Sequence, residues 1–248
     1  LLPAFFHTLY NLAKQSNDQN VRIVIRSFGS DVHDVVDAIN AFATGHHPDY
    51  PGFEKKEWIL GGENMFRGRW DRRRGGEGVY RLHRWNGGGG DDNEGSTTVV
   101  ASGDEEVLDV IESQWICAIQ DDYQYWYDHD CQPHAGKPIW VRSPLGQSLR
   151  NYHHHIIFDD NIKNDPDDSI VGVRWQGPYP PGLALESMDS SKELSGSSFF
   201  SLTGDSVRKL QAKYLVQVPT MEPILNLNWF LQQIEECEKN ISDVMIQN

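Results

Sequence analysis

Two adjacent carboxylates after a short apolar run are the feature of this sequence that points most directly to chemistry. Asp159 and Asp160, followed by Asn161, come directly after Ile156-Ile157-Phe158. Such a run is typical of a parallel strand covered on both faces, and side chains just past its carboxyl end reach the crevice where open α/β sheets bind ligands. Because neighbouring carboxylates repel each other unless a cation compensates them, the pattern indicates Mg²⁺, which prefers oxygen ligands. A turn capped by these Asp and Asn side chains is the other interpretation.

The segments around these acids predict an α/β fold. A helix over 3–15, a β-branched strand over 21–26 and a helix from Ser30 or Asp31 to Thr44 are typical of a doubly wound sheet. Further predicted core elements are a long helix over 104–127 and strands over 139–141, 156–158 and 170–175. We therefore expect a three-layer, doubly wound, mostly parallel sheet in a single domain over 1–248.

Two segments fall outside that core. Residues from about 54 to 101 alternate aromatic or β-branched runs with glycine-rich breaks, which predicts an inserted antiparallel β-ribbon. Two helices, over 205–218 and 223–238, are predicted within a C-terminal helical segment at about 205–240. The ribbon carries a concentrated basic patch, made up of Arg67, Arg69, Arg72, Arg73 and Arg74. A solvated face is the preferred interpretation of this patch, and a surface for an acidic partner or substrate is the alternative.

Composition limits the function classes. Eight Trp among 248 residues and 38% hydrophobic content exclude a disordered chain. The net charge of −14 argues against nucleic acid or an anionic membrane as a broad partner. Three Cys without a Cys-x-x-Cys suit a reducing compartment, and no apolar run approaches a membrane span, so a cytoplasmic protein is predicted. His153-His154-His155 does not predict zinc, because at most two of these side chains share a strand face.

Three stretches carry a family resemblance through their order and strand context. An apolar strand at 23–27 ends in Ser27, a second at 156–160 ends in paired acids, and Lys137 lies between them. In this order they resemble the second, fourth and third motifs of the haloacid-dehalogenase-like (HAD-like) superfamily, within a eukaryotic branch of it. The resemblance covers approximately residues 1–45 and 104–175.

The resemblance implies a role for each matching residue. In the superfamily the hydroxyl binds the transferring phosphoryl group, the Lys offsets its charge and that of the nucleophile, and the acid pair helps to hold Mg²⁺. It thus implies that Ser27 is a hydrogen-bond donor to the phosphate and that Lys137 neutralises charge. Asp159 and Asp160 are the implied metal ligands, with Asn161 beside them. The implied function is a Mg²⁺-dependent phosphohydrolase or phosphotransferase acting on a phosphorylated small molecule or protein. In one parallel sheet these residues would reach the same edge. Simple turn roles for Ser27 and Lys137 remain open.

The sequence departs from the superfamily at the nucleophile, which there is the first Asp of an Asp-x-Asp motif ending the first strand. Asp128-His129-Asp130 has the right composition but the wrong place in the motif order. This leaves two hypotheses. Either the nucleophile lies in a preceding segment of a longer protein, or this chain is a non-catalytic HAD-like scaffold or binding protein.

Overall fold

The computed structural model divides the chain into two compact units. The first unit is Leu9–Tyr127, and the second combines Leu2–Thr8 with Asp128–Asn248. Each contains helices together with parallel and antiparallel strand pairs, which confirms the α/β class. The three-layer doubly wound arrangement and the single domain over 1–248 stay predictions. The structure describes residues 2–15, 21–71, 78–85, 98–145, 147, 152–162, 169–178, 199–202 and 205–246.

The first unit is built on a five-stranded sheet. Its strands, in spatial order, are β1 (Ile23–Ser27), β5 (Ile116–Gln120), β2 (Met65–Trp70), β3 (Tyr80–Arg84) and β4 (Val99–Ser102). β1, β5 and β2 are parallel neighbours, whereas the β2–β3 and β3–β4 pairs are antiparallel. The predicted antiparallel ribbon is thus present as β2–β4, and it continues the parallel part of the same sheet. Arg72, Arg73 and Arg74 of the predicted basic patch lie outside the described residues.

The helix predicted over 104–127 is wrong over residues 114–122, which are not helical. The structure has a helix α3 (Asp104–Ser113), then strand β5, then a short helix α4 (Tyr123–Asp128). The first four residues of β5 are fully buried, because parallel neighbours on both sides make it a central strand. A continuous apolar run of this length suits a buried strand as well as a helix face, and the tertiary environment decides between them.

The helix after β1 matches the sequence prediction closely. Helix α2 (Val32–Ala43) buries a stripe at helical spacing, consisting of Val32, Val36, Ile39, Phe42 and Ala43. Thr44 is the C-terminal flanking residue, with its N–H donating to Asn40 O at 3.0 Å. The turn between β1 and α2 therefore places Ser27 at the carboxyl end of a parallel strand.

The second unit contains two small sheets. One has the order β6 (Lys137–Arg142), β8 (Val171–Gln176) and β9 (Phe200–Ser201), and the other pairs β7 (Ile157–Asp159) with β10 (Leu215–Gln217) in parallel. Its other elements are the first residues of helix α1 (Pro3–Gln15), a short 3-10 helix (Pro133–Ala135) and helices α5 (Asp205–Arg208), α6 (Glu222–Leu225) and α7 (Trp229–Ile246).

The helix predicted over 205–218 is wrong beyond Arg208, because β10 occupies its last part. Val216 of β10 joins a buried apolar cluster with Trp229 and Phe230 of α7, and Phe158 of β7 packs against it. The Phe158 and Phe230 rings meet edge to face at 5.2 Å between centroids. This packing anchors β7 and therefore fixes where its carboxyl end, Asp159, lies.

Gly68 in β2 allows the close approach of a buried ring from the neighbouring strand. A Cβ atom at Gly68 would lie 1.7 Å from Tyr80 Oη, and the Tyr80 side chain is almost fully buried. The ring therefore has no space into which it can move.

We expect Gly68→Ala to lower the free energy of unfolding by about 2–3 kcal/mol, because overpacking a core site forces side chains and backbone to shift. Gly61→Ala is the matched control, since a Cβ atom there meets no heavy atom within 4 Å. Urea unfolding of both variants measures the difference, and equal losses would contradict the packing described for Tyr80.

Candidate functional site

Lys137 and Asp159, which the sequence resemblance assigns to different motifs, form an ion pair in the second unit. Lys137 Nζ lies 2.7 Å from Asp159 Oδ2, and the two side chains are 8% and 9% exposed. A pair buried to this extent keeps little contact with water, so each charge depends on the other for compensation. Lys137 is thus not the surface turn lysine that the sequence alone also allowed.

The start of β6 fixes the position of Lys137. Its backbone N–H donates to Ile170 O at 2.8 Å, which opens the ladder between β6 and β8. The preceding Gly136 makes this possible, because a Cβ atom there would lie 2.1 Å from Ile170 O. Gly136 permits the close approach of the two chain segments, and the pairing of β6 with β8 then sets the direction in which the Lys137 side chain projects.

Asp159, Asp160 and Asn161 form a hydrogen-bonded turn after β7. Asp159 Oδ1 accepts from the Asn161 backbone N–H at 2.9 Å, and Asp160 Oδ1 accepts from Asn161 Nδ2 at 3.0 Å. Asp160 is exposed, unlike its neighbour. The turn interpretation is therefore correct for the backbone, and it leaves one buried and one solvent-facing carboxylate side by side.

Ser27 lies in the first unit, at the end of β1. Its hydroxyl donates to Asp31 Oδ1 at 2.5 Å and accepts from the Gly29 backbone N–H at 3.0 Å. The prediction that the strands of Ser27 and Asp159 belong to one sheet is wrong: β1 pairs with β5, and β7 pairs with β10. The apolar run of β5 lies within the helix that the sequence predicts over 104–127, so the sequence does not indicate β5 as the parallel neighbour of β1. The catalytic and metal-binding roles assigned to these residues stay predictions.

A second acid pair, Asp121 and Asp122, lies directly after β5 and was missed in the sequence. Asp121 Oδ2 accepts from Arg26 Nε at 3.0 Å, and its Oδ1 accepts from Tyr80 Oη at 2.5 Å. Asp122 accepts from the backbone N–H of Trp70 at 3.3 Å and of Tyr125 at 3.1 Å. An apolar run followed by two acids, as at 156–160, was the signal that could have revealed this strand end.

The Arg26, Asp121 and Tyr80 group is a closed buried cluster. Burial by itself would lower the pKa of the Arg26 guanidinium, but the charge and hydrogen bonds of Asp121 and Tyr80 together outweigh burial and raise this pKa. Burial and the same carboxylate raise the pKa of Tyr80 well above its ordinary value. The Arg26 guanidinium therefore stays charged and the Tyr80 hydroxyl stays neutral at neutral pH. The hydrogen bonds of the cluster connect β1, β3 and the end of β5, which indicates a structural role.

His154 is the histidine of the 153–155 stretch with the clearest structural role. Its Nε2 lies 2.5 Å from Lys213 O, and its ring packs edge to face against Tyr214 at 5.3 Å between centroids. Burial lowers the pKa of this imidazole, and the nearby His155 acts in the same direction, against a hydrogen bond to Lys213 that raises it. This geometry suits a neutral ring that donates its Nε2 proton to the carbonyl.

No protein-family model matches the chain, and neither a curated protein nor a solved structure is significantly similar to it. Within the described parts of the chain, no group of three or more His, Cys, Asp or Glu side chains is arranged to hold a metal ion. None of the helices described in the structure is long and apolar enough to cross a membrane.

We expect Asp159→Ala to lower the free energy of unfolding by about 3 kcal/mol, because it removes the charged partner of a buried lysine. Asp160→Ala, at the exposed neighbour, should change it by less than about 0.5 kcal/mol. Adding Lys137→Met to Asp159→Ala should restore part of the loss, as a double-mutant cycle in urea would measure. Strictly additive losses would show that the pair is not coupled.

We expect the protein to lose stability as the pH falls below about 6.5, in part through His154. Because the pKa of His154 is lowered in the folded protein, the unfolded chain takes up a proton at a higher pH than the folded protein does. The contribution of His154 to stability is therefore fully present above its unfolded-state pKa and is lost as the pH falls below that value. His154→Gln should flatten the dependence of the unfolding free energy on pH between 7.5 and 5, whereas His153→Gln, at an exposed position, should retain the wild-type slope.

Proposed function

We propose that this chain belongs to a HAD-like protein that uses Mg²⁺ to hydrolyse or transfer the phosphoryl group of a phosphate ester. The contact between Lys137 and Asp159 carries the proposal. The two residues lie 22 positions apart in sequence, on separate strands, and the resemblance gives them roles in one site. Their ion pair at 2.7 Å supports a shared site, because it brings the two side chains into direct contact.

The charge arrangement also favours phosphoryl chemistry. Phosphoryl transfer depends mainly on positioning and on stabilising charge spread over the phosphoryl oxygens. A lysine held at one point by a carboxylate and a β-ladder is positioned before any ligand arrives. The exposed Asp160 is then the better candidate for a Mg²⁺ ligand, because both oxygens of Asp159 already accept hydrogen bonds.

This site needs a nucleophile and at least one further metal ligand from outside the described residues. The expected Asp-x-Asp motif would supply both. Among the described strands, β7 is paired only with β10. We propose that the strand carrying the motif pairs in parallel with the other edge of β7 and ends beside Asp159, because neighbouring parallel strands end at the same edge.

The second candidate function is a non-catalytic binding protein on the same fold. The contacts of both residues favour it: Lys137 offsets the charge of Asp159 directly, and Ser27 belongs to the sheet of the other unit. Its hydroxyl is also bonded to Asp31 within the β1–α2 turn. These contacts are what a structural ion pair and a helix-entry turn would show.

The test uses the complete gene product, with whatever coding sequence precedes Leu1. We expect it to contain an apolar strand ending in Asp-x-Asp, and to hydrolyse p-nitrophenyl phosphate only when Mg²⁺ is present. Asp160→Asn should reduce turnover by roughly 100-fold or more, because it removes the exposed metal carboxylate. Asp243→Asn, at an exposed position on α7, should keep the wild-type rate.

Thermal unfolding shows whether the variants are folded, and we expect Asp160→Asn to unfold near the wild-type temperature. A complete, folded protein that neither binds Mg²⁺ in calorimetry nor turns over phosphate esters would reject the enzyme and favour the binding protein.

A further inference from the structure

A group of aromatic side chains lies at the carboxyl end of β1 and β5 in the first unit. The two strands end in register, with Ser27 opposite Gln120, and parallel strands present the residues that follow them at the same edge of the sheet. The loop after β1 carries one ring of the group and helix α4 carries three. We refer to these residues as the aromatic cluster: Phe28, Tyr123, Trp126 and Tyr127.

The segments that carry the aromatic cluster are both held by the core of the unit. The Asp121 backbone N–H donates to Ser27 O at 2.8 Å, which joins the loop after β1 to the end of β5. Helix α4 is anchored by its buried residue Tyr125, whose ring stacks on Trp70 at 5.6 Å between centroids. The rings of the cluster are therefore positioned by strand pairing and by core packing.

The rings of the aromatic cluster contact one another and remain open to solvent. Phe28 stacks with Trp126 at 5.3 Å between centroids and meets Tyr123 edge to face at 5.9 Å. Tyr123 lies 6.0 Å from Trp126 and 6.1 Å from Tyr127. Because Tyr123 and Tyr127 are 49% and 60% exposed, they offer ring surface to a ligand.

The charges in the same two segments are negative. Residues 27–31 and 120–127 contain Asp31, Asp121 and Asp122 and no Lys, Arg or His. Arg26 offsets Asp121, whereas the buried Asp122 has, within the described parts of the chain, only backbone N–H groups as partners. The face of an aromatic ring is also negative and attracts cations. A cationic ligand therefore complements both the rings and the carboxylates beside them.

The hydrogen bonds of these carboxylates indicate which kind of cation fits. Both oxygens of Asp121 and of Asp122 already accept hydrogen bonds within the protein, and Asp31 Oδ1 accepts from the Ser27 hydroxyl. A primary ammonium or a guanidinium group loses hydrogen bonds to water on binding and needs acceptors to replace them. A quaternary ammonium group has no N–H, so ring faces and nearby negative charge are sufficient to bind it.

We propose that the aromatic cluster binds a small organic cation that carries a quaternary ammonium group. The attraction between a cation and a ring extends to about 6 Å from the ring centroid. Since neighbouring centroids are 5.3–6.1 Å apart, a cation on one exposed ring can also be attracted by a second. The proposal concerns the first unit alone and does not rest on the proposed phosphohydrolase.

The test is calorimetric titration of the purified protein with choline at low ionic strength. We expect saturable binding of choline. The neutral analogue in which carbon replaces the nitrogen of choline has the same shape without the charge, and it should bind about tenfold more weakly or less. Ethanolamine, the primary amine counterpart, should also bind about tenfold more weakly or less, because its ammonium group needs hydrogen-bond acceptors.

Substitutions at Tyr123 test the contribution of the ring. Tyr123→Leu removes the ring face but keeps an apolar side chain, and it should weaken choline binding about fivefold or more. Tyr123→Phe keeps a ring and should stay within about twofold of the wild-type affinity.

Trp115→Leu is the matched control. The Trp115 ring is also exposed, at 43%, but it lies immediately before β5, at the opposite end of that strand, and the Arg22 guanidinium already lies over it at 3.9 Å. Its replacement should change the affinity for choline by less than about twofold, because it removes no ring of the aromatic cluster.

The proton NMR signal of the choline methyl groups gives an independent readout. Ring currents should shift this signal upfield when wild-type protein is added, and the shift should be smaller with Tyr123→Leu. Thermal unfolding shows whether the variants are folded, and we expect Tyr123→Leu to unfold near the wild-type temperature because its side chain is half-exposed.

Several results would overturn the proposal. They are absence of saturable choline binding, equal binding of the neutral analogue or of ethanolamine, and an equal loss in Trp115→Leu. A lysine-rich peptide that binds more tightly than choline would also overturn it, since the aromatic cluster would then be a docking surface for a basic protein segment.

Discussion

In each unit, a buried carboxylate at the end of an apolar strand is compensated by a basic side chain from another element. Lys137 at the start of β6 meets Asp159 at the end of β7, and Arg26 in β1 meets Asp121 after β5. Uncompensated, burial of either carboxylate would cost several kcal/mol. The two strand ends can therefore be buried only when the basic residue arrives at the same point. Each ion pair thus selects the strand arrangement in which it forms.

The two acid pairs differ in the environment of their second carboxylate. Asp122 is itself buried and accepts backbone N–H groups, which ends β5 and begins α4. Asp160 is exposed, and its carboxylate accepts from the side-chain amide of the neighbouring Asn161. Both carboxylates of the Asp121–Asp122 pair are therefore buried and hydrogen-bonded within the protein. The Asp159–Asp160 pair instead presents one carboxylate to solvent, beside the carboxylate that is paired with Lys137. The sequence pattern is the same in both cases, so only the surroundings separate a structural role from a site.

The sequence is sufficient to predict a strand or helix where the hydrophobic periodicity and the residues that begin or end the element indicate the same structure. Strand β1 and helix α2 were predicted because a β-branched run is followed by a turn and a helical apolar stripe. The sequence predicts helices where β5 and β10 lie, because a short apolar run fits either element and their parallel partners lie far away in sequence. The resemblance gives Lys137 and Asp159 roles in one site but does not predict their direct contact, because no local pattern indicates that two separate strand ends meet.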